Sequence, residues 1–428
     1  MATTFVFGIF AGLMVLGVPV AAAMIAAAIA VLYFIMDMPL LAAPTFITSG
    51  VSSFELLAVP FFIFAAELMN VGGITRRLFA ACLMITGRVP GALAQVNVAS
   101  AAVFAGISGS ALADLAGLGR VQIKAMVENG YRLEFSTALT VASCMLSALI
   151  PPSIAMVIYA ISAQQSVGKM LLAGLLPGIF LAIVLSLYVL YLKFTGKEKM
   201  GDVVLPAWSE RLRVIAGAAP ALLSPLLILS GIGFGIFTPT EAGVAACVYS
   251  LFIAVFVYRE VDFPMLMSSL VRTVRSSALI MIIIGAANLM SWIITVDQGA
   301  VAITQWLVTF EAPVWFKLLV INLVLLLLGT IMEHIPALLI VTPILLPGVI
   351  RMGVDPIHFG VMLNFNLLLG MITPPVGMGL FIASNVTGMK LEAVTRAIMP
   401  FFVPLLIALA VMTYVPALST LVPNLVFN

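Results

Sequence analysis

The sequence predicts an all-α polytopic membrane protein, an inverted repeat with two re-entrant hairpins and two broken helices, and three observations carry that prediction. The 428 residues are 63% hydrophobic and 8% charged, with mean hydropathy +1.26, where a soluble domain carries about 25% charged residues. Sliding the chain by 223 positions brings Gly106 onto Gly329, Gly130 onto Gly353, Pro151-Pro152 onto Pro374-Pro375 and Pro177 onto Pro400 without a gap. Such matches of punctuating residues at one offset mark an internal duplication. With one assignment of faces, 16 of the 19 lysines and arginines fall on one side of the membrane, the bias that marks the cytoplasmic face.

The first repeat is expected over 1–192, with scaffold spans and an arm in 1–88. The run 5–36 reads as one span, too long for a cleaved leader, and its alanines let neighbouring helices approach closely. A second span covers 55–69. The segment 73–88 places Arg76, Arg77 and Arg88 around an apolar stretch too short to cross, which fits an arm lying along the interface. In 89–127 the run GISGSALAD interrupts the helix, so a re-entrant hairpin is expected. A broken helix follows in 133–163, because Pro151-Pro152 cannot continue a helical ladder, and 170–192 crosses back.

The only long polar stretch, 193–213, is read as a cytoplasmic linker, and 214–237 as an extra span. That span turns the second repeat, 238–428, upside down. Its scaffold and arm are expected in 238–312, with spans at 238–258 and 276–296 and an arm at 297–311. A hairpin at 314–350, broken by GTIMEHIPA, a broken helix at 356–386 and a last span at 397–416 complete it. This layout puts the N-terminus in the cytoplasm and the C-terminus outside, and leaves only Lys169, Lys317 and Arg351 on the outer face.

Backbone that leaves the helix inside a bilayer must be packed in protein or line a polar cavity, so the breaks imply a cavity. Freed carbonyls and hydroxyls suit a hard cation such as Na⁺, and half-helix N-termini suit a carboxylate. The candidate Na⁺ ligands are Gly106, Ser108, Gly109, Ser110, Ser147, Pro151 and Ser153 in the first copy, and Gly329, Thr330, Thr373, Pro374 and Gly377 in the second. Candidate substrate contacts are Ser108, Ser110, Asp114, Pro152, Glu333, Asn366 and Pro375. Each hydroxyl has a plainer alternative, a bond to the preceding turn or to a neighbouring helix. Asp114 reads equally as a lock on the hairpin backbone, and Glu67 and Glu241 as contacts between helices. Glu333 and His334 are adjacent on a helix and are not expected to pair; His358 reads as a neighbour of the Asp355 cap.

Enzymatic readings find no support. GISGS is not GxSxG, the two histidines lack paired-ligand spacing, and no phosphate loop is present, so ATP is not the expected energy source. Cys82, Cys144 and Cys247 read as small apolar residues, and no basic cluster interleaved with aromatics points to nucleic acid. Inverted repeats around a midplane site point to a carrier of alternating access. A self-sufficient ion-coupled carboxylate carrier and an ion channel are the alternatives.

At SGSALADLAGLG, IPPSIAMVIYA, FTPTEAG and MITPPVGMGLFIASNVTG, the chain closely resembles the large membrane subunit of the tripartite ATP-independent periplasmic (TRAP) transporters, over essentially its whole length. The resemblance implies an elevator-type fold and Na⁺-driven uptake of an organic acid such as a C4-dicarboxylate or sialic acid, with two or more coupling ions. It implies a periplasmic substrate-binding protein and a small four-helix membrane subunit, here a separate chain, as partners in a bacterial inner membrane. The family's determinants map onto Ser108, Gly109, Ser110 and Pro151-Pro152, and onto Gly329, Thr373, Pro374, Pro375 and Gly377.

Overall fold

Gly17 and Pro19 divide the first apolar run into two helices, α1 (Ala2–Val15) and α2 (Val20–Phe34), that pack against each other. Gly17 turns the chain at φ +79°, a conformation glycine adopts without cost. In this computed structural model, which describes residues 1–201 and 206–427, the expected single span 5–36 is therefore a helical hairpin. The Met1 ammonium lies 3.0 Å from Asp297 Oδ2, and the Thr3 N–H donates to the same oxygen at 2.8 Å. The expectation that Met1 and Asp297 lie on opposite faces is thereby corrected. No lysine or arginine precedes Arg76, so the division of charge between faces is untouched.

The Thr3 N–H, and after it the Met1 ammonium, hold the Asp297 carboxyl well below the usual carboxylate range. A carboxylate with a lowered folded value stabilises above its unfolded value and loses that contribution as pH falls through the folded one. Docking of α1 is thus expected to survive down to about pH 4. At neutral pH Asp297→Asn should speed limited proteolysis of the N-terminal segment in detergent; equal rates would show that the contact does not hold α1.

The short helix α3 (Ala42–Val51) was not expected; it packs on the long helix Phe263–Val296. A 3₁₀ turn and α4 (Ala58–Val71) form the next crossing, and α5 (Ile74–Thr86) packs against the helices Ala92–Ser108 and Trp208–Gly233. The first hairpin is α6 (Ala92–Ser108), then α7 (Ala111–Ala116) and α8 (Leu118–Glu128), bent at Gly117. The broken helix is α9 (Leu133–Cys144), a 3₁₀ turn over Met145–Ala148, and α10 (Ile154–Ser162). Then α11 (Val167–Ala173) and α12 (Leu175–Phe194) return as one kinked rod.

Of the expected linker 193–213, residues 202–205 lie outside the described residues, as does Asn428 of the second repeat. Both linker ends are helical: α12 runs to Phe194, and α13 (Trp208–Gly233) starts before the expected 214. Arg211, expected in the polar linker, is buried with its guanidinium on the Met84 carbonyl. In α14 (Pro239–Phe252) Glu241 caps its own helix through Thr238, with N···Oε2 2.8 Å, instead of bridging helices. The next helix, α15 (Phe263–Val296), starts 13 residues before the expected 276, and Arg272 on it bonds Glu67 at 2.8 Å. The second copy continues with α16 (Gly299–Thr309), α17 (Val314–Ile331), α18 (His334–Arg351), α19 (Pro356–Gly370) and α20 (Met378–Thr387). The last crossing joins α21 (Leu391–Ile398) to α22 (Phe402–Tyr414), and α23 (Ala417–Val426), not expected, packs on α11 and α12. Among the described residues, eight helices are long and apolar enough to cross a membrane.

The offset of 223 recurs in the backbone. Helix α8 ends at 128 and α18 at 351, α9 starts at 133 and α19 at 356, and Gly130 and Gly353 share φ of +84° and +81°. Packing is reciprocal: α10 lies on α18 as α20 lies on α7 and α8, and α21 lies on α9 as α11 lies on α19. The two copies are also upside down relative to each other. The start of the α21–α22 rod packs on α9 beside the root of the first hairpin, and further along it Phe401 lies 6.0 Å from Phe135 in a tilted arrangement. At the rod's far end Tyr414 donates to the Trp315 carbonyl at the root of the second, 3.0 Å away. The hairpins therefore enter from opposite ends of a rod roughly 36 Å long.

Candidate functional site

Each hairpin tip is joined to its broken helix by a backbone bond at an equivalent place. Ile154 N–H donates to the Gly109 carbonyl at 3.3 Å, and Gly377 N–H, 223 residues later, donates to the Thr330 carbonyl at 3.2 Å. Pro151-Pro152 and Pro374-Pro375, just before those donors, are both cis. Gly109 has φ +63°, and a Cβ there would collide with the Pro152 carbonyl oxygen. In the second copy Gly329 lies against Gly370 of α19, where a Cβ would stand 2.9 Å from the Gly370 Cα. Glycine is what lets these backbones meet.

Asp114 is buried at 2% exposure, and its two carboxylate oxygens accept the hydroxyls of Ser108 and Ser147. These three side chains tie the descending arm of the hairpin to its tip and to the broken helix. Asp114 thus locks the hairpin through two side-chain hydroxyls and not through backbone N–H groups, and it does not line the cavity between the tips. Ser110 N–H donates to Ser108 Oγ at 3.2 Å, while the Ser110 hydroxyl makes no hydrogen bond among the described residues. Ser153 caps α10 by accepting from Met156 N–H at 3.4 Å. Gly106 lies between α13 and the break: a Cβ there would stand 2.9 Å from Pro225 of α13 and 3.5 Å from the Pro151 oxygen.

In the second copy Thr330 donates to the Leu327 carbonyl at 2.7 Å and Thr373 to the Leu369 carbonyl at 2.8 Å. A hydroxyl whose proton is spent on the helix keeps its lone pairs for a cation or a donor, so these bonds leave the coordinating role open. Asn366 departs from expectation. Its amide donates to Asn322 Oδ1 at 2.6 Å, and Asn322 in turn donates to Thr413 of α22 at 3.0 Å, so it faces away from the tips. At about 100° per residue, the two-residue step to Leu368, which does line the tips, carries it to the opposite side of α19.

A cavity of about 80 Å³ lies between the two tips, lined by Ser110, Ala111, Glu333 and His334, by the first turn of α10, and by Ile280 of α15. Both hairpins, both broken helices and the scaffold thus meet at one place. Sequence reasoning missed His334 and Asn364: Asn364 sits against His334 and bonds the Ala148 carbonyl of the first copy. The clue was two polar residues, Asn364 and Asn366, on one apolar helix, of which only one can face the cavity. No group of three His, Cys, Asp or Glu side chains able to hold a metal occurs among the described residues.

Residues 7–418 match the family described as tripartite ATP-independent periplasmic transporter, DctM component. The chain is 36% identical over 416 residues to the sialic acid TRAP transporter large permease protein SiaM of Vibrio cholerae serotype O1, covering 97% of this chain and 96% of that protein. It is 39% identical over 373 residues to the C4-dicarboxylate TRAP transporter large permease protein DctM of Pseudomonas aeruginosa, covering 87% and 86%. The fold resembles the crystal structure of the YdaH transporter of Alcanivorax borkumensis with TM-score 0.59 at 14% identity, over 86% of each chain.

Proposed function

The chain belongs to the DctM component family of the tripartite ATP-independent periplasmic transporters, and from that premise we propose that it is the large transport subunit of an Na⁺-coupled importer of organic acids. The observation that carries the reading is the convergence of two oppositely entering hairpin tips and two broken helices on one small cavity. Ser108, Ser110 and the carbonyls at Gly109 and Pro151 offer hard oxygens in the first copy. Thr330, Thr373, Gly377 and the carbonyls at Gly329 and Pro374 do so in the second, which makes two or more Na⁺ ions the natural number. Hard oxygen donors from backbone and hydroxyls suit a cation of this kind.

The partners are a periplasmic substrate-binding protein and a small membrane subunit, and the site is a bacterial inner membrane. The arginine-rich face is cytoplasmic, and Met1, with Asp297, is on the periplasmic face. Transport moves the hairpins and broken helices as one unit past a frame built of α2, α4, α14 and α15. The backbone bonds from each tip to its broken helix support this, since opening a tip alone would leave them unpaired in the bilayer.

Reconstituted with both partners, the chain should take up substrate only with an inward Na⁺ gradient, and without partners it should be inert. Robust uptake by the chain alone would favour a self-sufficient carrier, and gradient-independent flux a channel. Ser110→Ala and Thr373→Ala should each raise the Na⁺ concentration for half-maximal uptake about tenfold, since losing one buried ligand costs about 1–3 kcal/mol. Unchanged Na⁺ dependence at normal expression would assign both hydroxyls to packing.

A further inference from the structure

A second cavity, of about 590 Å³, shares no lining residue with the one between the tips. It lies on the arginine-rich face, where α12 ends, α9 begins and the α21–α22 rod sets out. Its charges are unevenly matched. Arg132 is spent on the buried Glu198, with Nε 2.9 Å from Oε1. Lys197 donates to the Tyr191 hydroxyl at 2.9 Å and Arg396 makes no hydrogen bond, so among the described residues neither cation has a carboxylate partner. Glu134, which also lines the cavity, is unpaired as well. With the Arg132–Glu198 pair cancelled, two cations stand against one carboxylate, and a single negative charge on a ligand would bring the lining to neutrality.

The walls are amphipathic. Tyr188 donates to the Pro400 carbonyl at 3.1 Å and stands edge-on to Phe401, with ring centroids 5.2 Å apart. Tyrosines that close an apolar rod just before Lys193 and Lys197 mark the level at which headgroups lie. From Tyr191 an apolar stripe runs back along α12 in four-residue steps through Leu187, Ile183 and Ile179, each 44% to 58% exposed. Such spacing keeps all four side chains on one face. From Pro400, exposed Val403 and Ile407 continue in the same way on α22, which packs on α12. A cationic cavity from whose wall two exposed apolar stripes set out fits an amphiphile; a soluble anion would leave the stripes unused.

We propose that this cavity binds a monoanionic glycerophospholipid of the surrounding membrane, its phosphodiester held by Lys197 and Arg396, its headgroup hydroxyls donating to Glu134 and its acyl chains lying along α12 and α22. Lysine and arginine give phosphate oxygens charge-assisted hydrogen bonds, and basic pockets between transmembrane helices on the cytoplasmic side hold headgroups of this kind. Lys197 follows the last helix of the first copy and Arg396 belongs to the second, so one phosphate bonded to both ties the two copies at this face. The inference goes beyond the transport reading and does not depend on the substrate.

The test uses the purified chain assembled with its membrane partner and stripped of lipid in detergent. Thermal stabilisation is titrated with phosphatidylglycerol, phosphatidylethanolamine and phosphatidylcholine of the same chains, and with glycerophosphoglycerol, the headgroup without chains. Phosphatidylglycerol should act at a concentration at least about tenfold lower than either zwitterionic lipid, and the free headgroup should have no effect at those concentrations. Replacing both Lys197→Ala and Arg396→Ala should bring phosphatidylglycerol to the level of phosphatidylcholine. Arg275→Gln, at an exposed arginine outside the cavity, should leave the preference intact. Should the double variant fail to fold, Arg396→Gln, at an exposed and unpaired side chain, should by itself weaken the preference about fivefold. No stabilisation by phosphatidylglycerol, equal stabilisation by either zwitterionic lipid, or a preference that survives in the folded cavity variants overturns the proposal. An equal loss in Arg275→Gln would trace the preference to the charge of the whole face and overturn it too. Equal stabilisation by the free headgroup would make this a site for a soluble phosphodiester and overturn the lipid.

Discussion

Asp114→Ala in the assembled transporter is expected to lower initial uptake at least about a hundredfold, a loss of roughly 2.7 kcal/mol. Both carboxylate oxygens are engaged, one by Ser108 at the tip and one by Ser147 beside the break. Removing them strands two hydroxyls in a site where Ser147 is wholly buried, at about 1–3 kcal/mol for each polar group left unmade. The tip would lose its register against the broken helix, and Ser110 would shift with it, since its N–H rests on Ser108 Oγ. Uptake rates and the thermal midpoint of the purified chain measure the two consequences separately. Asp114→Asn keeps one acceptor and should fall between; normal uptake in Asp114→Ala would confine this cluster to packing.

Gly329→Ala is the second large effect. A Cβ at this position would stand 2.6 Å from the Leu367 carbonyl oxygen and 2.9 Å from the Gly370 Cα. Both obstacles are backbone, with no flexible side chain to swing away, so α17 and α19 must move apart. Overpacking of this kind costs about 1–3 kcal/mol, and the neighbouring bond from Gly377 N–H to the Thr330 carbonyl is displaced with it. A lowered thermal midpoint together with severely reduced uptake is the expected result. Gly106→Ala, at the equivalent position, meets the Pro225 ring carbons of α13 and should disturb packing against that helix more than the tip. If Gly329→Ala left both stability and uptake unchanged, the close approach of α17 and α19 would not be what shapes the second site.

The repeat and its breaks were legible because glycine and proline act through the backbone, and the offset that aligns Gly130 with Gly353 also aligns their positive φ angles. What stayed hidden depended on neighbours distant in the chain. The turn at Gly17 lies within a long apolar run whose hydropathy cannot separate one crossing from a hairpin of two short helices. The opening half of α15 was missed because Arg272 and Arg275 depress hydropathy, although Arg272 is held by Glu67, 205 residues away. Asn366 reads as a site residue by its depth along the helix, which position gives, while facing requires knowing which side the other copy covers. Asp114 could be flagged as a membrane carboxylate, but its two hydroxyl partners, 6 and 33 residues away, become visible only once the hairpin is folded against α9.

The central claim is that the site between the tips changes the face it opens to, and a cysteine at Ala111 tests it most directly. Ala111 lines the cavity at the first tip and is 6% exposed, and the three native cysteines Cys82, Cys144 and Cys247 are replaced first. In oriented vesicles carrying the assembled transporter, a membrane-impermeant thiol reagent is applied from one face or the other, with and without Na⁺ and substrate. Labelling of Ala111→Cys should pass from the outer to the inner face as Na⁺ and substrate are supplied together. Labelling from the same face in every condition would contradict the moving unit and leave a local gate at the tip as the account of transport.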